Sequence, residues 1–300
     1  MYPMAPLIRT ALNTTARVAP GPAGRWAFRL FVRPLGRAKV KPGERTLLAA
    51  ARTGTLHVRG EEVVTYAWGD GRRPVLLVHG WSSRASRLGA FAEELLARGY
   101  SPVAFDAPGH GDSPGKASNI AEYREIIREL HARHGDFEAV VAHSFGVLAS
   151  LFALRDGVRT ARFVGLGGVG SFTMLLEGFR AGLRLDERVV RAMRGYVERR
   201  LVPGEPGVWD RFGADHAPDE LGAPVLLFHD EGDDMVPLAQ ARFLARAHGD
   251  RARLVVTRGL GHRRILTDPG VVAEAVAFAT AGSDVEPAVT ARDGVSSTAW

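Results

Sequence analysis

Ser144 stands in the run Ala142-His143-Ser144-Phe145-Gly146, between an apolar stretch (Phe137, Ala139, Val140, Val141) and a helix-like one (Val147, Leu148, Ala149, Leu151, Phe152, Leu154). A serine among small residues at a strand-to-helix junction fits a sharp turn that only small side chains two positions either side permit. Such a turn projects the hydroxyl at the carboxyl end of a sheet, above a helix N-terminus that favours negative charge. The chemistry on offer is nucleophilic attack. A serine hydroxyl is too weakly acidic to do this at neutral pH unless a base takes its proton and a carboxylate orients that base.

Candidates for both partners follow later in the chain. The strand-like Val225-Leu226-Leu227-Phe228 runs into His229-Asp230-Glu231-Gly232-Asp233-Asp234-Met235-Val236-Pro237, which contains three candidate acids, Asp230, Asp233 and Asp234. The strand-like Leu254-Val255-Val256 runs into Gly259-Leu260-Gly261-His262, which contains the candidate base His262. Nucleophile, acid and histidine thus come in that order, each at the end of a predicted strand.

With these segments the chain resembles the α/β-hydrolase superfamily of serine hydrolases, from about Glu62 to about residue 280. Val75-Leu76-Leu77-Val78-His79-Gly80-Trp81 is similar to the strand and His-Gly segment that supplies half of the family's oxyanion hole. Asp106-Ala107-Pro108-Gly109-His110-Gly111-Asp112-Ser113 resembles the loop after the next strand. The resemblance implies the α/β-hydrolase fold: a mostly parallel central sheet flanked by helices, with a small helical cap. It implies Ser144 as nucleophile, His262 as base and, three residues before the valine of Val-Pro, Asp233 as acid. It implies oxyanion donors in the backbone N–H groups of Trp81 and Phe145, and no cofactor or metal. Two positions depart from the family pattern. Ala142 stands where glycine usually opens the elbow, and Asp230 stands where glycine is common. Alanine is small enough for the turn, and the bland reading of Asp230 and Asp234 is loop capping and solvated charge.

These residues need elements to position them. Strands are predicted over Thr55–Val58, Val63–Trp68, Val75–His79, Pro102–Phe105 and Phe163–Leu166, and helices over Ala85–Arg98, Gly270–Thr280 and a segment running to His134, capped by Ser118. Alternating strands and helices imply a parallel sheet covered on both faces. Residues 171–222 break the alternation. Phe172, Leu175, Leu176, Phe179 and Leu183 share one helical face, and Val189, Val190, Met193, Tyr196 and Val197 share another. This insertion reads as the cap. Much of each stripe seals it to the body, and the rest, with Phe172, Leu176 and Phe179 as substrate-binding candidates, favours an apolar acyl or aromatic group. Arg180, Arg184, Arg188, Arg191 and Arg194 read as its solvated outer face. Gly165, Gly167, Gly168 and Gly170 lack a phosphate-loop fingerprint and read as a strand end opening into the cap. His143 reads as support beside the nucleophile, and His79 and His110 as loop-orienting residues.

The 300 residues carry 46% apolar side chains and no long apolar run, ample for one large core (46–281) and short of a membrane span. The absence of cysteine excludes disulfides and a thiol nucleophile. The net charge of +6 is uneven. Up to Arg45 there are seven Arg and two Lys against one Glu, a balance of +8 that leaves −2 for the remainder. An excess at one end argues against nucleic-acid binding. Residues 1–45 read as a basic extension of one or two short amphipathic helices, with Trp26, Leu30 and Phe31 on the apolar side. The extension either packs as an extra helix against the sheet, is partly disordered, or makes weak membrane-surface contact. No export signal is evident, so the cytoplasm is expected, and the tail from residue 282 reads as disordered. The functional expectation is a cofactor-independent serine hydrolase cleaving a small carboxylic ester or thioester through an acyl-enzyme. The alternatives are an acyltransferase on the same triad and a non-catalytic binding or receptor protein on the same scaffold.

Overall fold

Runs of Val, Leu and Phe with no polar alternation suit strands buried on both faces, and such runs form the centre of this molecule. The computed structural model describes residues 5–205 and 207–282, so the expected disordered tail lies outside the described residues. In chain order the helices α1 (Ala5–Val18), α2 (Pro20–Phe31) and the short α3 (Arg45–Ala49) precede strands β1 (Arg52–Val58), β2 (Glu61–Ala67) and β3 (Pro74–Val78). Then come α4 (Gly89–Ala97), β4 (Ser101–Asp106), α5 (Ile120–His134), β5 (Ala139–His143), α6 (Phe145–Leu154) and β6 (Phe163–Leu166). Three helices follow in succession, α7 (Phe172–Leu183), α8 (Glu187–Arg200) and α9 (Val208–Arg211). The chain closes with β7 (Val225–Asp230), α10 (Leu238–His248), β8 (Ala252–Thr257), α11 (Gly261–Arg264) and α12 (Pro269–Thr280).

The eight strands make one sheet in the order β1-β2-β4-β3-β5-β6-β7-β8, parallel from β4 onward and antiparallel at the β1–β2 and β2–β4 pairs. This is the expected α/β-hydrolase arrangement. Every residue of β3, β4, β5, β6 and β7 is buried, while β8, at the edge, is half-exposed. Successive side chains alternate between two cores. Leu76, Val78, Phe105 and Val140 join α5 and α6 on one face. Val75, Leu77, Ala104 and Val141 join α4 and α12 on the other. All ten residues of α6 are buried, so the helix behind Ser144 is enclosed on every side.

Two expectations need correction. The cap of α5 is Asn119 rather than Ser118: its side chain accepts from the N–H groups of Ala121 and Glu122, and Glu122 returns a bond to the Asn119 N–H. The N-terminal extension forms two helices and docks on helices α7 and α8, not on the sheet. Its buried face is Ala23, Gly24 and Ala27, with Phe28 and Phe31 half-buried, whereas Trp26 points outward. Small residues let the backbones approach so closely that a side chain at Gly24 would collide with the Ala192 carbonyl. Phe31 meets Phe172 and Phe179 edge-on at centroid distances of 5.8 and 5.3 Å. From there the chain is strapped to the body by Arg37, whose guanidinium donates to the carbonyls of His110, Gly111, Ser113 and Gly115.

Candidate active site

Ser144 occupies the tight turn between β5 and α6 with φ 55° and ψ −121°, a conformation L-residues avoid. The turn is over-determined by its surroundings. The Ser144 N–H donates to Leu166 O at 2.9 Å, and Ser144 O accepts from Val147 and Val169. A side chain at Gly146 would come within 2.7 Å of two carbonyl oxygens, those of Val78 and His79, so glycine is required there. Ala142 is fully buried, has no positive φ and is accommodated within β5.

His262, at the start of α11, places Nε2 3.0 Å from Ser144 Oγ and Nδ1 2.7 Å from Asp233 Oδ2. The carboxylate accepts a hydrogen bond from the Nδ1–H, which keeps the proton on Nδ1 and leaves Nε2 free to accept from the serine hydroxyl. Ser144 and His262 are each 8% exposed. Burial works to raise the pKa of Asp233. Hydrogen bonds from His262 and from the Val236 and Met235 N–H groups outweigh it and hold the carboxyl below its usual range.

The other two acids sit elsewhere. Asp230 is buried and accepts from Gly232 N, Thr257 Oγ1 and Leu260 N, tying the loop after β7 to the loop that carries His262. Asp234 is exposed. His143 donates from Nε2 to the His262 carbonyl at 2.9 Å, and burial with the nearby His262 charge pushes its pKa down to about 3. It is a neutral prop for the backbone of His262.

The segment after β3 lies directly against the nucleophile, since a side chain at Gly80 would meet Ser144 Cβ at 2.7 Å. His79 accepts from Ala107 N at Nε2 (3.0 Å), which places its proton on Nδ1, 2.7 Å from Gly80 O. Gripping that carbonyl also fixes the Trp81 N–H, because the two belong to one planar trans peptide and point opposite ways. Burial pushes His79 down to about 4, so it does this work uncharged. Neither the Trp81 nor the Phe145 N–H has a hydrogen-bond partner among the described residues. The Trp81 ring stands edge-on to Phe145 and His110 at 5.5 and 5.0 Å.

Three features escaped sequence reasoning. Gly167 (φ 53°) follows β6, and a side chain there would press on His262 Nδ1 at 3.2 Å and Asp233 Oδ2 at 3.3 Å. Its position after the strand next to the nucleophile strand was the available signal. The buried Arg84 reaches Asp106 and Asp112, and Tyr66 donates between the same carboxylates, so this network sets the loop after β4. Asp106 and Asp112 share one loop segment, but no sequence spacing links Tyr66 or Arg84 to them. The third is the use made of the substrate-binding candidates. Phe172 packs among Phe31, Trp209 and Phe212, and Phe179 packs on Phe31, while Leu176 is buried in the same core. Of the five insertion arginines, Arg180 pairs with Glu177, Arg191 pairs with Glu187 and Arg194 lies over the Trp209 ring.

Residues 75–275 match the family model described as the alpha/beta hydrolase family. A non-heme haloperoxidase of Rhodococcus erythropolis is 26% identical over 247 residues, covering 68% of this chain and 90% of its own. Among solved structures, a Pyrococcus furiosus esterase superposes with a TM-score of 0.59 at 16% identity, over 82% of this chain and 96% of its own. An esterase from Rhodococcus sp. ECU1013 does so with a TM-score of 0.54 at 20% identity, over 77% and 99%.

Proposed function

This chain belongs to the alpha/beta hydrolase family, and from that premise we propose a serine hydrolase that cleaves a carboxylic ester or thioester through an acyl-enzyme. The observation that carries the reading is the unbroken relay from Ser144 Oγ through His262 to Asp233, at 3.0 and 2.7 Å. Ser144 Oγ attacks the acyl carbon as its proton passes to His262 Nε2, and Asp233 stabilises the imidazolium. The carbonyl oxygen, now negative, is held by the N–H groups of Trp81 and Phe145. Each such donor contributes on the order of 3 kcal/mol to the transition state in enzymes of this kind. His262 returns the proton to the departing alcohol or thiol. Water then attacks the acyl-enzyme by the same sequence, with His262 as base, releasing the acid and restoring Ser144.

The apolar surroundings at Trp81 and Phe145 favour an apolar acyl or aromatic group. Of the three insertion residues, Phe172, at the start of α7, the first helix after β6, is the candidate to touch it. Farther along α7, Phe179 packs on Phe31 of α2 and Leu176 is buried in the core. The test is labelling of the purified chain with a fluorophosphonate, alongside Ser144→Ala and His262→Ala, with turnover of p-nitrophenyl esters of increasing chain length. Labelling and turnover in the wild type, with turnover lost in both variants and labelling abolished in Ser144→Ala, are expected. A folded wild type that neither labels nor turns over any ester overturns the reading.

A further inference from the structure

Arg25 and Arg29 of α2 and Arg199 and Arg200 of α8 converge with Trp26 and Tyr196 on an open cleft of about 760 Å³. Among the described residues none of these four guanidiniums has a carboxylate within ion-pair distance. Their neighbours Arg17 and Arg191 do pair, with Asp186 and Glu187. A second cleft of about 430 Å³ shares Gly21 and Arg199 with the first and adds Arg188 and Arg191. Like charges gathered this way repel one another, and an anion in the cleft relieves that repulsion.

The gathering is a product of the fold. The Gly24 approach to Ala192 brings the two arginine-bearing helices together, although they lie far apart in the chain. The turn joining α1 to α2 adds an apolar tip, with Val18 81% exposed and Trp26, one of the cleft's walls, 37% exposed. Arginines that bind phosphate, a tryptophan suited to the headgroup boundary and a protruding aliphatic side chain are together the chemistry of an anionic lipid surface. A free phosphate ester would use the arginines and leave the apolar tip without a role.

We propose that this α2–α8 face docks the protein on an anionic phospholipid surface, with lipid phosphates held among Arg25, Arg29, Arg199 and Arg200 and Trp26 at the headgroup boundary. Half of the site belongs to α8, so it exists only in the folded chain. Deleting residues 1–45 would also bare the apolar faces of α7 and α8, which makes point substitutions the better probe.

The experiment is co-sedimentation of the full chain with vesicles of phosphatidylglycerol and phosphatidylcholine in equal parts, beside phosphatidylcholine alone. Glycerol 3-phosphate and a single-stranded oligonucleotide serve as soluble competitors. Binding to the mixed vesicles only, weakened by salt, is expected. Each of Arg25→Gln, Arg29→Gln, Arg199→Gln and Arg200→Gln should lower the affinity about fivefold, and Trp26→Ser should lower it further, with thermal melting unchanged. Equal binding to neutral vesicles, no binding to the mixed ones, or indifference to the substitutions overturns the proposal. Displacement by glycerol 3-phosphate at millimolar levels, or by the oligonucleotide, overturns it in favour of a soluble phosphate ligand or a nucleic acid.

Discussion

Replacing Asp233 by asparagine isolates the one atom on which the relay depends. Asp233 Oδ1 accepts from Met235 N and Val236 N, both at 2.8 Å, and Oδ2 accepts from His262 Nδ1. Those two backbone donors need an acceptor, so the asparagine oxygen must stay on their side and its NH₂ must face His262. Two donors cannot bond, and the imidazole is driven to the tautomer with its proton on Nε2, facing Ser144. That tautomer cannot take the hydroxyl proton. The expected loss is on the order of 10⁴ in kcat, equivalent to about 5.5 kcal/mol of barrier, with little change in KM. Asp230→Asn serves as the structural comparison. It places an NH₂ either against Gly232 N or against Leu260 N and Thr257 Oγ1 together, and should cost about 1–3 kcal/mol of stability, with kcat reduced by less than about tenfold. Asp234→Asn, at an exposed position, should change neither. Ester turnover normalised to fluorophosphonate-titrated sites, with melting curves for each variant, supplies both numbers. An Asp233→Asn enzyme within tenfold of wild type, or an Asp234→Asn enzyme falling as far, would refute the reasoning.

Gly167→Ala should lower stability by about 1–2 kcal/mol through its φ and kcat roughly tenfold by displacing His262. Gly157→Ala, with φ 95° and open space around it, should share only the first effect, and equal kcat losses in the two would contradict the assignment. Burial holds His79 near 4 and His110 and His143 near 3, below the ordinary imidazole value of about 6.5. The unfolded chain therefore binds more protons between those limits. Stability should be complete above pH ~6.5 and fall toward pH 3–4 by up to ~1.4 kcal/mol per pH unit for each imidazole. A urea midpoint that stays constant from pH ~7 to ~4.5 would contradict this. Gly24→Ala should loosen α2 from α8 at a cost of about 1–3 kcal/mol, read as faster proteolysis of the N-terminal segment. Gly36→Ala, in open space, should be silent.

The sheet was legible because its central strands are nearly continuous apolar runs and its turns carry small residues. The grouping of Ser144, Asp233 and His262 was legible because the fold delivers the ends of β5, β7 and β8 to one edge, so chain order stands in for proximity. What escaped was whatever depends on contact between elements distant in sequence. The pressure of Gly167 on the His262–Asp233 pair needs β6 beside β5, and the Arg84–Asp106–Tyr66 network needs β2, the end of β4 and the loop after β3 brought together. The docking of α1 and α2 on α8 escaped for a related reason. A basic amphipathic helix reveals that it has an apolar face but not which surface covers it. Trp26 was assigned to that face by its hydrophobicity, while the close backbone approach selected Ala23, Gly24 and Ala27 instead. Asn119 prevailed over Ser118 as cap because Glu122, three residues on, completes the box.

The N-terminal helices also set a schedule for synthesis. Asn13 accepts from the Asp186 N–H, a contact spanning 173 residues. At about 5–20 residues per second the ribosome needs on the order of ten to thirty seconds to deliver the second partner after the first. For that interval the face of α2 that bears Ala23, Ala27 and Phe31 waits for the later-made α8 before it can be seated. The charged outer faces of these helices thus serve the nascent chain before they serve the finished one, since arginines flanking an unpaired apolar stripe keep it dispersed while its partner is still being made.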